Sequence, residues 1–182
     1  NSAALAVVGS RNPTPQGAMN AERFASALAA AGLTIVSGLA LGIDAAAHRG
    51  ALSANGHTIA LIGTGIDRLY PASNQALAFE IADRGAIVSE FPLGTPPAAS
   101  NFPRRNRLIA GLSRGTLVVE ATTESGSLIT ARLAAELSRE IFAIPGSIHS
   151  PQSRGCHKLL KEGAKLVETV QDVLDELRWQ HS

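Results

Sequence analysis

Leu5-Ala6-Val7-Val8-Gly9-Ser10-Arg11 leads into a helical pattern over Met19–Ala31, and Thr34-Ile35-Val36-Ser37-Gly38 follows. An aliphatic run, a small polar turn, an amphipathic stretch and a second aliphatic run make a βαβ unit. Such a unit joins parallel strands through a right-handed crossover. The alternation continues along the chain. Strand-like runs recur at Thr58–Ile62, Ala86–Val88, Thr116–Val119, Ile141–Ile144 and Lys165–Val167. Helical patterns fall between them at Ile43–Ala54, Asn74–Arg84, Arg104–Leu112, Leu128–Arg139 and His157–Glu162, and Val170–Arg178 closes the series. The pattern predicts an α/β fold, with a mostly parallel sheet and helices on both faces. It also predicts one domain over residues 1–178, with 179–182 as a frayed end or the start of a linker.

The 182 residues are 45% hydrophobic but only 4% aromatic. Alanine and small aliphatics must therefore fill the core, which suits helices packed closely on a sheet. Cys156 is the one cysteine. It cannot form an internal disulfide, so a reducing, cytoplasmic setting is expected. No apolar run approaches the roughly 20 residues of a membrane span.

Sixteen basic and fifteen acidic residues leave a formal net charge of +1. The cationic character is local instead. Between Glu90 and Glu120 there is no acid, while Arg104, Arg105, Arg107 and Arg114 fall in that interval. Three of them cluster in Asn101-Phe102-Pro103-Arg104-Arg105-Asn106-Arg107. A local field of this kind gathers phosphates without making the whole surface adhesive. The planar arginine fork suits phosphate, and an aromatic ring beside it can stack a base.

Most strand-like runs end in small polar turns: Gly9-Ser10-Arg11, Ser37-Gly38, Gly63-Thr64-Gly65, Ser125-Gly126-Ser127 and Pro145-Gly146-Ser147. In an open α/β sheet the ligand crevice lies at the carboxyl ends of the strands. Helix starts there offer free N–H groups to anions. Cofactor fingerprints are absent. The first turn is not G-x-G-x-x-G, Arg68 stands where Gly63-Thr64-Gly65 would need its third glycine, and no P-loop occurs. No cofactor is expected. The five histidines show no metal-ligand spacing, so no metal is expected either. Asp44 and His48 lie four apart on a helical pattern, which fits capping better than a proton relay. Glu120 and Glu124 bracket a strand-end loop and are the remaining acid–base candidates.

Val8-Gly9-Ser10-Arg11, Ser37 to Asp44, Leu69-Tyr70-Pro71, Phe102 to Arg107, Ser125-Gly126-Ser127 and Pro145-Gly146 occur in this order. Together they resemble the DprA/Smf family of DNA-processing proteins, from about Leu5 to Val167. The resemblance implies a Rossmann-like, doubly wound domain that binds single-stranded DNA and catalyses no reaction. It further implies protection of incoming single strands and help in loading the RecA recombinase during natural transformation. Carried over to these residues, Arg11 is a phosphate ligand. Arg104, Arg105 and Arg107 form a basic wall, Phe102 stacks a base, and Asn106 is a polar contact or loop brace. Ser37, Gly38, Gly126 and Ser127 supply backbone and hydroxyl donors. A homodimer through a patch of His157, Leu160 and Leu166 is also implied. One departure is the uncharged Pro97-Ala98-Ala99-Ser100, where family members often carry a basic residue. The other reading is a nucleoside monophosphate hydrolase of the related Rossmann-like group. Those enzymes carry a Pro-Gly-Gly-x-Gly-Thr loop where this chain has Thr123-Glu124-Ser125-Gly126-Ser127.

Overall fold

A computed structural model describes residues 3–179, so residues 180–182 of the expected frayed end lie outside the described residues. The chain alternates β1 (Ala4–Val8), α1 (Pro15–Ala30), β2 (Thr34–Ser37), α2 (Ile43–Ser53), β3 (Thr58–Leu61), α3 (Gln75–Arg84) and β4 (Ala86–Val88). It continues through α4 (Asn101–Leu112), β5 (Gly115–Val118), α5 (Ser127–Glu136), β6 (Glu140–Ala143), α6 (Pro151–Lys161), β7 (Lys165–Leu166) and α7 (Val170–Glu176). All strands are parallel in the order β4-β3-β2-β1-β5-β6-β7. The chain winds outward from β1 to β4, then returns to place β5 on the other side of β1. Connections leave β1 and β5 in opposite directions, which opens a crevice above their carboxyl ends.

Alternation along β1 divides the core. Leu5 and Val7 join the cluster under α1, α2 and α7. Ala4, Ala6 and Val8 face the cluster that includes Ile109 of α4, Ala131 of α5 and Cys156 of α6. A third cluster packs α2 and α3 onto Ala60 and Ile62. Both faces of the sheet are thus covered, as the near-continuous apolar strands require. Alanine allows the close approach of α1 and α2, through Ala21, Ala25, Ala46 and Ala47. At Gly50 of α2 even a methyl is excluded, because a Cβ would sit 2.2 Å from the Glu22 carbonyl oxygen.

Several helices begin earlier than the apolar periodicity indicates. α1 starts at Pro15, not Met19, with Thr14 as N-cap accepting from Gly17 N–H. α6 starts at Pro151, not His157. Proline at a first helical position loses no hydrogen bond, so it opens these helices. α4 starts at Asn101, not Arg104, so Phe102, Pro103 and Arg104 lie in its first turn. At the far end Trp179 packs against the α1–α2–α7 cluster, and its Nε1–H donates to the Ala31 carbonyl at 2.8 Å. Among the described residues no helix is long and apolar enough to cross a membrane.

Candidate nucleic-acid interface

A cleft of about 820 Å³ lies above the β1–β5 junction, walled by the β1–α1 loop, the start of α4 and the start of α5. The β1–α1 loop is pinned to β5. Ser10 N–H donates to the Glu120 carbonyl at 2.7 Å, and Asn12 N–H to Ser10 Oγ at 3.0 Å. Glu120 also holds the start of α1: its carboxylate accepts from Thr14 N–H at 2.9 Å and from Thr14 Oγ1 at 2.8 Å. This acid–base candidate is therefore a brace. With the backbone fixed, the exposed Arg11 side chain reaches over Phe102, its guanidinium carbon 5.2 Å from the ring centroid. Tyr70 stands beside the same ring at 6.0 Å. A cation on an aromatic face and a second ring alongside form a platform for a flat, negatively charged ligand.

The three clustered arginines diverge. Arg105 is 4% exposed. Its Nη1 donates to the carbonyls of Gly38 at 2.6 Å and Leu61 at 2.8 Å, and its Nε to Asn106 Oδ1 at 3.0 Å. The guanidinium carbon lies 5.5 Å from the Phe102 centroid, under the platform rather than on it. Burial lowers the Arg105 pKa, the Asp44 carboxyl opposes that, and Arg11 adds to it. Arg104 is exposed and lies 5.3 Å over Phe91, outside the cleft. Arg107 is ion-paired with Glu90. Asn106 is buried and its Nδ2 donates to the Gly126 carbonyl at 3.4 Å, joining α4 to the start of α5. The run reads as one basic wall only if helical geometry is ignored. Arg105 lies four residues before the buried Ile109, on the same helix face, and that spacing was the available signal.

The β2–α2 turn is closed in the same way. Ser37 is fully buried and its hydroxyl donates to the Val7 carbonyl at 2.6 Å. Gly38 N–H donates to Asp44 Oδ2 at 3.1 Å. Leu39, at φ 59°, donates its N–H to His48 Nε2 at 3.2 Å. His48 Nδ1 lies 2.7 Å from Thr58 Oγ1, whose own proton goes to the Ile35 carbonyl at 2.8 Å. His48 is therefore neutral with its proton on Nδ1. Burial, then Arg105 and Arg49, push its pKa down to about 3. Burial raises the pKa of Asp44, against the opposing Arg105 charge. Asp44 and His48 do share a helix face, and they use it to hold two successive turn amides.

The β5–α5 turn is open. Gly126 is exposed, and a Cβ there would meet nothing within 4 Å. Ser125 and Ser127 pair their hydroxyls at 2.7 Å. Both residues, with Gly126 and the 1%-exposed Thr130, line the cleft. The turn thus brings the side chains of Ser125, Ser127 and Thr130 and the exposed Gly126 backbone to the cleft, while the N–H groups of Ser127 to Thr130 are already bonded, to Ser125 Oγ and to the Ser125 and Gly126 carbonyls. Tyr70, Ser125 and Thr130 carried no sequence assignment. Of these, only the lone tyrosine in a strand-end loop offered a signal. The expected dimer residues lie on α6 and on the edge strand β7 that follows it. His157 Nε2 accepts from Gly146 N–H at 3.1 Å, Leu160 is half-buried against the α4–α6 cluster, and Leu166 is 44% exposed on edge strand β7.

Residues 1–178 match the family model of DNA recombination-mediator protein A. The chain is 51% identical over 176 residues to protein Smf of Escherichia coli strain K12, covering 96% of this chain and 47% of that one. It superposes on the crystal structure of DNA processing protein A from Streptococcus pneumoniae with a TM-score of 0.90 at 50% identity, covering 96% of this chain and 62% of the other. The Helicobacter pylori protein, whose structure describes a single-stranded DNA binding mode, also gives a TM-score of 0.90. That match has 34% identity and covers 99% of this chain and 82% of the other. The chain spans about half the length of the Smf relative, 47%. It belongs to the DNA recombination-mediator protein A family.

Proposed function

We propose that this member of the family is a non-catalytic, cytoplasmic protein that binds single-stranded DNA, protects incoming strands and helps load RecA recombinase in natural transformation. One observation carries the reading: an exposed guanidinium, Arg11, lies over the half-buried ring of Phe102 in a cleft that the exposed Gly126 also lines. A phosphate draws the exposed Arg11 side chain toward the Ser125–Ser127 turn, and the Phe102 face that Arg11 leaves takes the base, with Tyr70 alongside. Arg104 flanks the strand from the rim, and Arg107 joins only by exchanging Glu90 for a phosphate. Arg105, Asn106, Ser37 and Gly38 act from beneath, holding the platform in place. Glu120 and His48 are engaged in internal hydrogen bonds, which supports the non-catalytic reading over nucleotide hydrolysis.

The binding is weakly sequence-dependent, because stacking and backbone contacts accept any base. Three or four phosphate contacts on a single strand give a log–log salt slope of about −2 to −3. The test is fluorescence anisotropy with labelled oligo-dT across several salt concentrations, for the parent and an Arg11→Ala/Phe102→Ala variant. A folded variant with about a hundredfold weaker binding and a shallower slope supports the cleft. A slope near zero in the parent, a preference for duplex, or release of free base from a nucleotide overturns the reading. Homodimerisation through His157, Leu160 and Leu166 draws support from the exposed Leu166 on an uncovered sheet edge. A Leu166→Arg variant that sediments like the parent would remove that support.

A further inference from the structure

The exposed Arg104 guanidinium lies 5.3 Å from the centroid of Phe91, a half-buried ring outside the cleft. The arrangement repeats that of Arg11 over Phe102, at 5.2 Å. Phe102 and Arg104 are two residues apart in the first turn of α4. At about 100° per residue their side chains leave the helix on opposite sides. A pairing of ring and cation therefore stands on each flank of that turn. Pro103 between them is exposed and lines the cleft, as do the exposed, uncharged Pro97, Ala98 and Ala99 of the preceding loop. The ground from Phe102 to Arg104 is thus small, apolar and continuous with the cleft.

Hydrogen bonds fix the second ring in place. Phe91 N–H donates to Ser89 Oγ at 3.1 Å, and the Ser89 hydroxyl donates to the Thr64 carbonyl at 2.5 Å. Gly65 N–H donates to the Thr95 carbonyl at 2.9 Å, and Asn101 Nδ2 to the Gly63 carbonyl at 3.1 Å. The loop after β4 is thereby tied to the loop after β3 that brings Tyr70 to the cleft. The two acids of these loops are engaged: Glu90 pairs with Arg107, and Asp67 Oδ1 accepts from Gly94 N–H at 2.7 Å. Arg104 takes part in no ion pair among the described residues. Both loops belong to the β3–β4 end of the sheet, whereas the expected contact between copies, on α6 and β7, belongs to the other end.

We propose that Phe91 and Arg104 form a second station for the single strand, which crosses the first turn of α4 with one base on Phe102, a later base on Phe91 and Arg104 on a phosphate between them. The inference rests on the DNA-binding reading above. A base stacked on an aromatic ring is worth more than an exposed guanidinium lying on it. The base therefore takes the Phe91 face, and the guanidinium turns to the backbone. A helix with its side chains is about 10 to 12 Å across. Stations on opposite flanks of one turn are thus within reach of one strand but too far apart for adjacent stacked bases, which lie about 3.4 Å apart.

The test is anisotropy from low salt upward with two labelled probes. One is oligo-dT of about 12 nucleotides, within the range of single-strand site sizes. The other is an abasic oligonucleotide of the same length, which keeps the phosphates and lacks the bases. Phe91→Leu should bind oligo-dT about tenfold more weakly and the abasic strand like the parent. Phe91→Tyr keeps the ring and should restore oligo-dT binding, which separates stacking from a disturbed loop. Arg104→Gln should weaken both probes and lower the salt slope by about 0.7, for one phosphate contact. If Phe91→Leu melts early, the exposed Arg104 carries the decision through that slope. An equal loss on both probes for Phe91→Leu, full affinity of that variant for oligo-dT, or an unchanged slope for Arg104→Gln overturns the station. If Phe102→Leu weakens oligo-dT binding and Phe91→Leu does not, the second station alone falls. If the parent does not bind oligo-dT, the cleft reading itself fails and the station with it.

Discussion

Ser37-Gly38 after β2 and Ser125-Gly126-Ser127 after β5 have almost the same composition and both end a strand at the carboxyl edge. They differ in what covers the glycine. In the first, the Ser37 hydroxyl, the Gly38 N–H and the Gly38 carbonyl are all bonded within the protein, and Arg105 lies across them. In the second, Gly126 is exposed with open space where a side chain would go. The difference comes from the following helix. α2 turns a buried carboxyl and a buried imidazole back onto its own turn, whereas α5 turns no charged or imidazole side chain onto Gly126, which stays exposed. A covered glycine makes a closed wall, and an uncovered one leaves its backbone accessible to the cleft.

Substitution at the two glycines should separate these roles most sharply. A Cβ at Gly38 would lie 2.7 Å from the Arg105 guanidinium carbon and 2.8 Å from Asp44 Oδ2. Gly38→Ala should cost about 3 kcal/mol in a urea melt, at the upper end for an overpacked site. A loss below about 1 kcal/mol would mean that the closed turn yields easily.

The next effect is in pH. The folded-state pKa of His48 is depressed to about 3 from the ordinary 6.5. Between those values the unfolded chain takes up a proton that the folded one refuses. Stability conferred by neutral His48 is therefore intact above pH 6.5 and falls as pH drops toward 3, by about 1.4 kcal/mol per unit. Asp44 acts oppositely: its raised pKa keeps the folded carboxyl protonated where the unfolded one ionises, so its contribution falls as pH rises above 3.8. The parent minus a His48→Gln variant removes the Asp44 part to first order. That difference curve should shrink toward acid, and a flat one would show that the imidazole does not hold the turn.

Smaller effects belong to the open side. Arg11→Ala should weaken oligo-dT binding about tenfold, in line with losing a phosphate contact and a cation over the stacking ring, with an unchanged melt. A shifted melt would move Arg11 into the closed network. Gly126→Ala, at φ −61° and with nothing within 4 Å of its Cβ, should leave stability within about 0.5 kcal/mol.

The sheet was readable because β-branched and aliphatic runs alternate with periodic helices, so each strand sits within a residue or two of its expected bounds. Helix starts were less readable, because Pro15, Pro103 and Pro151 look like breaks when met in sequence and lie in first turns when folded. Of the expected site residues, Arg11, Phe102, Arg105, Asn106, Gly126 and Ser127 line the cleft, whereas Ser37, Gly38, Arg104 and Arg107 do not. Arg104 and Arg105 are identical in type and adjacent, and what separates them is a 100° step around α4 that aims one at solvent and the other at two carbonyl oxygens. Arg107 is expected in the basic wall, and its ion pair with Glu90 is not legible because the two lie 17 residues apart across a loop.

The chain has one tryptophan and one tyrosine. Trp179 is docked at the end of α1, remote from the cleft, while Tyr70 stands on the cleft rim beside Phe102. The molecule therefore carries two intrinsic optical probes with separate subjects. Indole emission follows the packing of the last helix during unfolding, and phenol emission follows what enters the cleft, so folding and occupancy can be read in one cuvette without a dye.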